Sequence, residues 1–225
     1  MNFKRVNSTL LLFVFFVFYF FVPCLANTNR PSIVSGSAVL IENSTSKVLF
    51  EKDMNNKMEP ASITKIMTAI LTIENCNLND VVSVPYEAIS NIPSGYSIVP
   101  LQTDEQITVD QLLRVLMVHS ANDAANVLAY HLDGSISAFA ERMNAKLSAL
   151  GLKDSHFTNP SGQHDENHYS TAHDIALLLQ YCMKNSTFKT YASLKSCHLS
   201  ATNKSGERDF ENTNPMLQPN SSYYY

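Results

Sequence analysis

Ile63, Ile66, Met67, Ile70 and Leu71 recur at the i, i+3, i+4, i+7, i+8 spacing of a helix with one buried face. A stripe this regular needs a packed interior to receive it. Pro60-Ala61 precedes the stripe and suggests a turn of the chain into the helix. Ser62 and Lys65 stand at that entrance. Side chains three apart share one helix face, so the two are neighbours by construction. The pattern predicts Ser62 in the first turn of a core helix, where unpaired backbone N–H groups favour developing negative charge.

The pairing has a chemical use. A serine hydroxyl is a poor nucleophile at neutral pH and needs a neighbouring base to take its proton. Lysine can serve only when partly neutral, and burial lowers its pKa toward that range. Ser-x-x-Lys by itself also occurs on solvated helix faces. A second motif adds weight. The apolar run of Leu112, Leu113, Leu116 and Met117 ends at His119-Ser120-Ala121-Asn122-Asp123, and a helical pattern resumes from Ala124. Ser120 and Asn122 therefore fall at a break between two helices. A hydroxyl there can relay a proton, and an amide can bind a peptide carbonyl. The plainer alternative is an interhelical loop with Asn122 or Asp123 as an N-cap.

The rest of the chain supplies an α+β frame. Ser37–Glu42 and Lys47–Glu51 read as a hairpin around Asn43-Ser44-Thr45-Ser46. Residues 80–85 form a short strand candidate, and Thr108-Val109-Asp110 opens the helix leading to Ser120. Further helices are expected over 122–132, 135–150 and 171–184, with Gly151 closing the middle one, and a strand over 196–202. Hairpin first, helices in the middle and a strand last is an α+β order.

Residues 60–68 (Pro-Ala-Ser-Ile-Thr-Lys-Ile-Met-Thr) and 117–125 (Met-Val-His-Ser-Ala-Asn-Asp-Ala-Ala) resemble the low-molecular-mass penicillin-binding proteins. Phe157-Thr158-Asn159-Pro160-Ser161-Gly162 and Tyr169-Ser170-Thr171-Ala172-His173-Asp174 extend the likeness. These are serine D-alanyl-D-alanine carboxypeptidases of peptidase family S11. The resemblance implies a transpeptidase/β-lactamase-like fold, with an antiparallel sheet fed by both chain ends beside a helical cluster. It implies Ser62 as acyl-ester nucleophile, Lys65 as general base, Ser120 as proton relay and Asn122 as a substrate-binding amide. It implies no cofactor or metal. The expected partner is a peptidoglycan stem peptide ending in D-Ala-D-Ala, with β-lactam antibiotics as covalent inhibitors.

A third motif, Lys-[Ser/Thr]-Gly on a strand, normally binds the substrate carboxylate in that family. Lys204-Ser205-Gly206 matches it literally but runs into the turn-like Glu207-Arg208-Asp209. The family's own motif follows a stretch like Asn212-Thr213-Asn214-Pro215-Met216-Leu217, and here only residues 218–225 come after it. The expectation is a chain that stops short of that strand, with its C-terminal strands missing and its activity poor. Lys204 remains the substitute candidate for carboxylate binding. Two other readings stay open. A class A β-lactamase would need Asp at position 121 and a deacylating Glu in a loop, whereas Glu141-Arg142-Met143-Asn144 lies within a helix pattern. A non-catalytic relic or envelope-binding module on the same fold would suit missing strands.

Lys4 and Arg5, then the unbroken apolar run Leu10–Val22, then Cys24-Leu25-Ala26, read as a secretory signal peptide over 1–26. Thirteen apolar residues are short for a membrane span, which needs about 20. An uncleaved anchor is the competing reading. Cleavage after Ala26 would leave 27–225 as the catalytic domain and take the net charge from −4 to −6. That charge argues against nucleic acid as a partner. The address is the outer face of the cell envelope. Cys76, Cys182 and Cys197 would remain, an odd number with no metal-like spacing, and a Cys182–Cys197 bridge stays open. His156, His164, His168 and His173 crowd eighteen residues without a metal-ligand pattern, which suits surface or hydrogen-bonded histidines.

Overall fold

The hairpin forms where alternation predicts it, in a computed structural model that describes residues 31–222. Strand β1 (Ala38–Ile41) pairs antiparallel with β2 (Val48–Lys52), Ala38 opposite Lys52. Their turn is built by Glu42, whose carboxylate accepts the backbone N–H groups of Ser44 and Thr45. The neighbouring hydroxyls and those bonds hold the Glu42 pKa down to about 2. The expected signal peptide, 1–26, and Tyr223–Tyr225 lie outside the described residues.

A 3-10 turn (Ala61–Thr64) leads into helix α1 (Lys65–Asn75). This corrects the expectation that Ser62 sits in the first α-helical turn. The 3-10 turn winds three residues per turn, so it rotates Ile63 off the buried stripe. Ile63 is 49 % exposed, whereas Met67 and Ile70 are fully buried. Each such buried side chain contributes roughly 1.5–3 kcal/mol.

After α1 come β3 (Val81–Ser83), the short helix α2 (Tyr86–Ile89) and β4 (Gln106–Thr108), which pairs antiparallel with β3. Helix α3 (Val109–Val118) starts at a capping box. Thr108 Oγ1 accepts the Gln111 N–H, and the Gln111 side chain accepts the Thr108 N–H. Helices α4 (Asn122–Asp133) and α5 (Ile136–Ala149) are separated by left-handed Gly134. Helix α6 (Ala172–Cys182) packs on β1, and the short α7 (Ser186–Ala192) follows. Helix α1 is central, touching α3, α4, α5, α6 and α7.

Strands β5 (Ser196–Leu199) and β6 (Arg208–Glu211) form a second hairpin that packs against α3. Two expectations change here. The β1–β2 and β5–β6 hairpins are separate two-stranded sheets among the described residues, not parts of one sheet. Residues 208 and 209, turn-like in sequence, belong to β6. The Arg208 guanidinium bonds the Glu105 carboxylate and the Val99 carbonyl, and Glu105 is fully buried. That tertiary ion pair outweighs the local turn preference. Cys76, Cys182 and Cys197 are all free thiols, so the suggested bridge is not formed.

Candidate active site

The entrance to α1 carries backbone strain. Ala61 has φ +47°, a left-handed conformation that residues with a Cβ rarely adopt. It turns the chain so that Ser62 projects outward while Thr64 and Lys65 go inward. Lys65 is 3 % exposed. Its Nζ lies 3.0 Å from Ser62 Oγ, 3.1 Å from Asn122 Oδ1 and 2.8 Å from the Ser161 carbonyl oxygen.

These three partners are chemically unequal. Asn122 Oδ1 and the Ser161 carbonyl can only accept, whereas the Ser62 hydroxyl can also donate. A neutral amine has two N–H donors and one lone pair. It satisfies both acceptors and still offers its lone pair to the Ser62 O–H. Burial lowers the Lys65 pKa to about 8, against the opposing attraction of Asp123. The neutral form is therefore accessible near physiological pH, and the geometry suits it.

Asn122 begins α4 behind Ala121, the N-cap, whose side chain makes no capping bond. Neither Asn122 nor Asp123 serves as the cap residue. The Asn122 backbone N–H and Nδ2 both donate to the Ser97 carbonyl, at 2.8 and 2.9 Å. The amide expected to face a ligand is thus half committed to the protein. Asp123 accepts the N–H groups of Val99 and Leu101, and burial raises its pKa. Asn122 and Asp123 together fasten the 97–101 segment beside the site. Ser120 has φ +58°, a second strained residue. It lines a cavity of about 390 Å³ with Ser62, Lys65 and Asn214.

The loop from Phe157 to Ser170 closes the other side. Asn159 Oδ1 accepts the N–H groups of Ser161, Gly162 and Gln163, which folds the loop tightly. Thr68 Oγ1 donates to the Pro160 carbonyl. The Thr158 N–H donates to His168 Nδ1, so His168 carries its proton on Nε2 and donates it to Thr64 Oγ1. Burial lowers the His168 pKa to about 4. A cavity of about 200 Å³ lies between this loop and Ser62, with Tyr96 and Asn122 on its wall.

Ser62, Lys65, Ser120 and Asn122 come together as their motifs suggested. Lys204 does not join them. It is exposed in the β5–β6 loop, with its carbonyl held by Gln102 Nε2, and it lines neither cavity beside Ser62. The Ser161 carbonyl is a structural partner to which the sequence assigned no part, and His168, read there as a surface or hydrogen-bonded histidine, is buried and hydrogen-bonded at the wall of the site.

The family model described as D-alanyl-D-alanine carboxypeptidase, peptidase S11, matches residues 25–224. The chain belongs to this S11 family. Among its S11 relatives, the D-alanyl-D-alanine carboxypeptidase DacF of Bacillus subtilis is 36 % identical over 192 residues, covering 80 % of this chain and 48 % of DacF. DacA of Escherichia coli is 32 % identical over 163 residues, covering 69 % of this chain and 40 % of DacA. The chain thus spans about half the length of the curated S11 relatives it matches. Penicillin-binding protein 6B from Escherichia coli superposes with a TM-score of 0.76 at 28 % identity, covering 86 % of this chain and 62 % of that one. Penicillin-binding protein 5 from Haemophilus influenzae gives 0.76 at 28 % identity, covering 84 % and 55 %. The S11 chain has the mixed α+β transpeptidase fold of these neighbours.

Proposed function

We propose that this S11 chain carries the acylation machinery of a serine-type D-Ala-D-Ala carboxypeptidase. The observation that carries the reading is the buried Lys65 amine, 3.0 Å from Ser62 Oγ and with its pKa lowered to about 8. Residues 27–225 form the catalytic domain, behind a signal peptide removed after Ala26 on export to the outer face of the envelope. The substrate is a peptidoglycan stem peptide ending in D-Ala-D-Ala, and β-lactams acylate the same serine. Such enzymes act in cell-wall maturation.

In the first step Ser62 Oγ attacks the carbonyl between the two D-alanines, and its proton passes to Lys65 Nζ. The Ser62 backbone N–H is an oxyanion donor, and the second N–H of Asn122 Nδ2 orients the substrate amide. The proton then reaches the leaving amine through Ser120. That residue shares a cavity with Ser62 and Lys65, on the side away from the Phe157–Ser170 loop. Breaking the C–N bond leaves an ester on Ser62, and water releases it.

The test is D-alanine release from a peptide ending in D-Ala-D-Ala. The wild-type chain should release it slowly, because Lys204 stands away from the cavities beside Ser62 and supplies no cation to the substrate carboxylate, and Ser62→Ala should not release it. Release that survives in Ser62→Ala would overturn the assignment.

A further inference from the structure

Ser120 has to bring a hydroxyl to a leaving nitrogen, yet its Oγ makes no hydrogen bond among the described residues. Its place is set by its backbone alone, which is left-handed at φ +58°. A residue with a Cβ holds that conformation only where the surroundings impose it.

Ser97 grips the chain on both sides of Ser120. Its Oγ donates to the His119 carbonyl oxygen at 2.7 Å. Its own carbonyl accepts the Asn122 backbone N–H and Nδ2, at 2.8 and 2.9 Å. The His119 carbonyl lies in the same rigid peptide plane as the Ser120 N–H. A bond to that oxygen orients the plane from which the Ser120 Cα and side chain extend. Two other ties reach this turn: the Thr213 N–H donates to the Val118 carbonyl, and the Ala121 N–H to that of Val115. Neither acts on the plane between residues 119 and 120. The segment that carries Ser97 is itself fixed. Asp123 accepts the Val99 and Leu101 N–H groups, and the Arg208 guanidinium donates to the Val99 carbonyl. Ser97 lines neither cavity beside Ser62, so it reaches substrate only through its neighbours.

We propose that Ser97 is a positioning residue for proton delivery to the leaving group, its hydroxyl holding the Ser120 turn in the relay geometry. This rests on the reading of Ser62 as nucleophile and Ser120 as relay. As the C–N bond breaks, its electron pair stays with the nitrogen. The Ser120 O–H gives its proton to that nitrogen. The Lys65 ammonium, which took the Ser62 proton, replaces it and becomes neutral again. The leaving group departs as D-alanine. A misplacement of about 1 Å can slow such a step by on the order of 10²-fold. An amine needs this proton before it can leave. A thiol, with a pKa of about 8.5, leaves as the thiolate. Loss of the Ser97 hydroxyl therefore harms peptide cleavage and spares thioester cleavage.

The experiment measures kcat/KM of the full chain on a peptide ending in D-Ala-D-Ala and on the matched thioester, in which sulfur replaces the nitrogen of the last residue. Both substrates form the same ester on Ser62, so they differ only in the group that leaves. Ser97→Ala removes the bond to His119 and keeps the carbonyl that Asn122 uses. It should lower the peptide value by about tenfold or more. The thioester value should stay within about threefold, the scale of a substitution away from the chemistry. A merely structural serine would not separate the two substrates. An unchanged peptide value in Ser97→Ala overturns the proposal, as does an equal fall on both substrates, the mark of a loosened or unfolded chain. Either result leaves the Ser62 reading intact. A wild-type chain that forms no ester from peptide or thioester overturns both, since there is then no leaving group for Ser120 to protonate.

Discussion

A Cβ atom built on Gly162 would stand 1.8 Å from the carbonyl oxygen of Ala61. Gly162 also has φ +80°, so a side chain is excluded by both contact and conformation. The loop that supplies the Ser161 carbonyl to Lys65 therefore seats directly on the nucleophile turn. Gly162→Ala must push the two apart. Overpacking of this kind costs about 1–3 kcal/mol. For a domain of this size each kcal/mol lowers Tm by about 2–4 °C. Thermal melting should show that drop, and penicillin labelling should slow with it. An unchanged Tm would show that the contact relaxes without consequence.

His168 ties the same loop to Thr64 in its neutral form. Burial takes its pKa from the ordinary 6.5 of a histidine down to about 4 in the fold. Between those values the unfolded chain binds more protons than the folded one. Stability therefore rises with pH across that window, is fully present above 6.5, and is lost as pH falls toward 4. His168→Gln removes the titrating group and should flatten this part of the profile. Denaturant unfolding at several pH values from about 4 to about 7 checks it, and a profile of unchanged slope would contradict it.

Lys65 sets the pH dependence of acylation. Only the neutral amine takes the Ser62 proton, so the rate should rise with pH through about 8 and level off above it. The Asp123 charge raises the Lys65 pKa. Asp123→Asn removes that attraction, so the midpoint should move to lower pH. Labelling rates for the two proteins on both sides of that midpoint test the direction. A midpoint that moves upward or stays would contradict it.

Ser62 and Lys65 were legible as neighbours because helical spacing alone places them together, whether the turn is α or 3-10. Asn122 was legible as part of the site, but its hold on Ser97 was not, since that bond joins segments 25 residues apart. The Ser161 carbonyl left no mark because any residue type supplies one. Helices α2 and α7 are four and seven residues long, too short for a clear hydrophobic period. Strand β6 depends on the Arg208–Glu105 pair, 103 residues apart, which no local pattern announces.

Lys204 provides a control on motif matching. It has the residue types of the family's third motif, but its place is an exposed hairpin loop. Lys204→Ala should leave the penicillin labelling rate within about threefold, the scale of an ordinary surface substitution. A loss of about tenfold or more would show that the loop reaches the cleft during reaction.

Activation of Ser62 by Lys65 underlies every step above. It is tested by mass-spectrometric mapping of the penicillin adduct on the wild-type chain, Ser62→Ala and Lys65→Ala. One adduct is expected on the peptide containing Ser62 and none in Ser62→Ala, with formation slowed by about 10²–10⁴-fold in Lys65→Ala. An adduct on another residue, or unslowed labelling of Ser62 in Lys65→Ala, would contradict it.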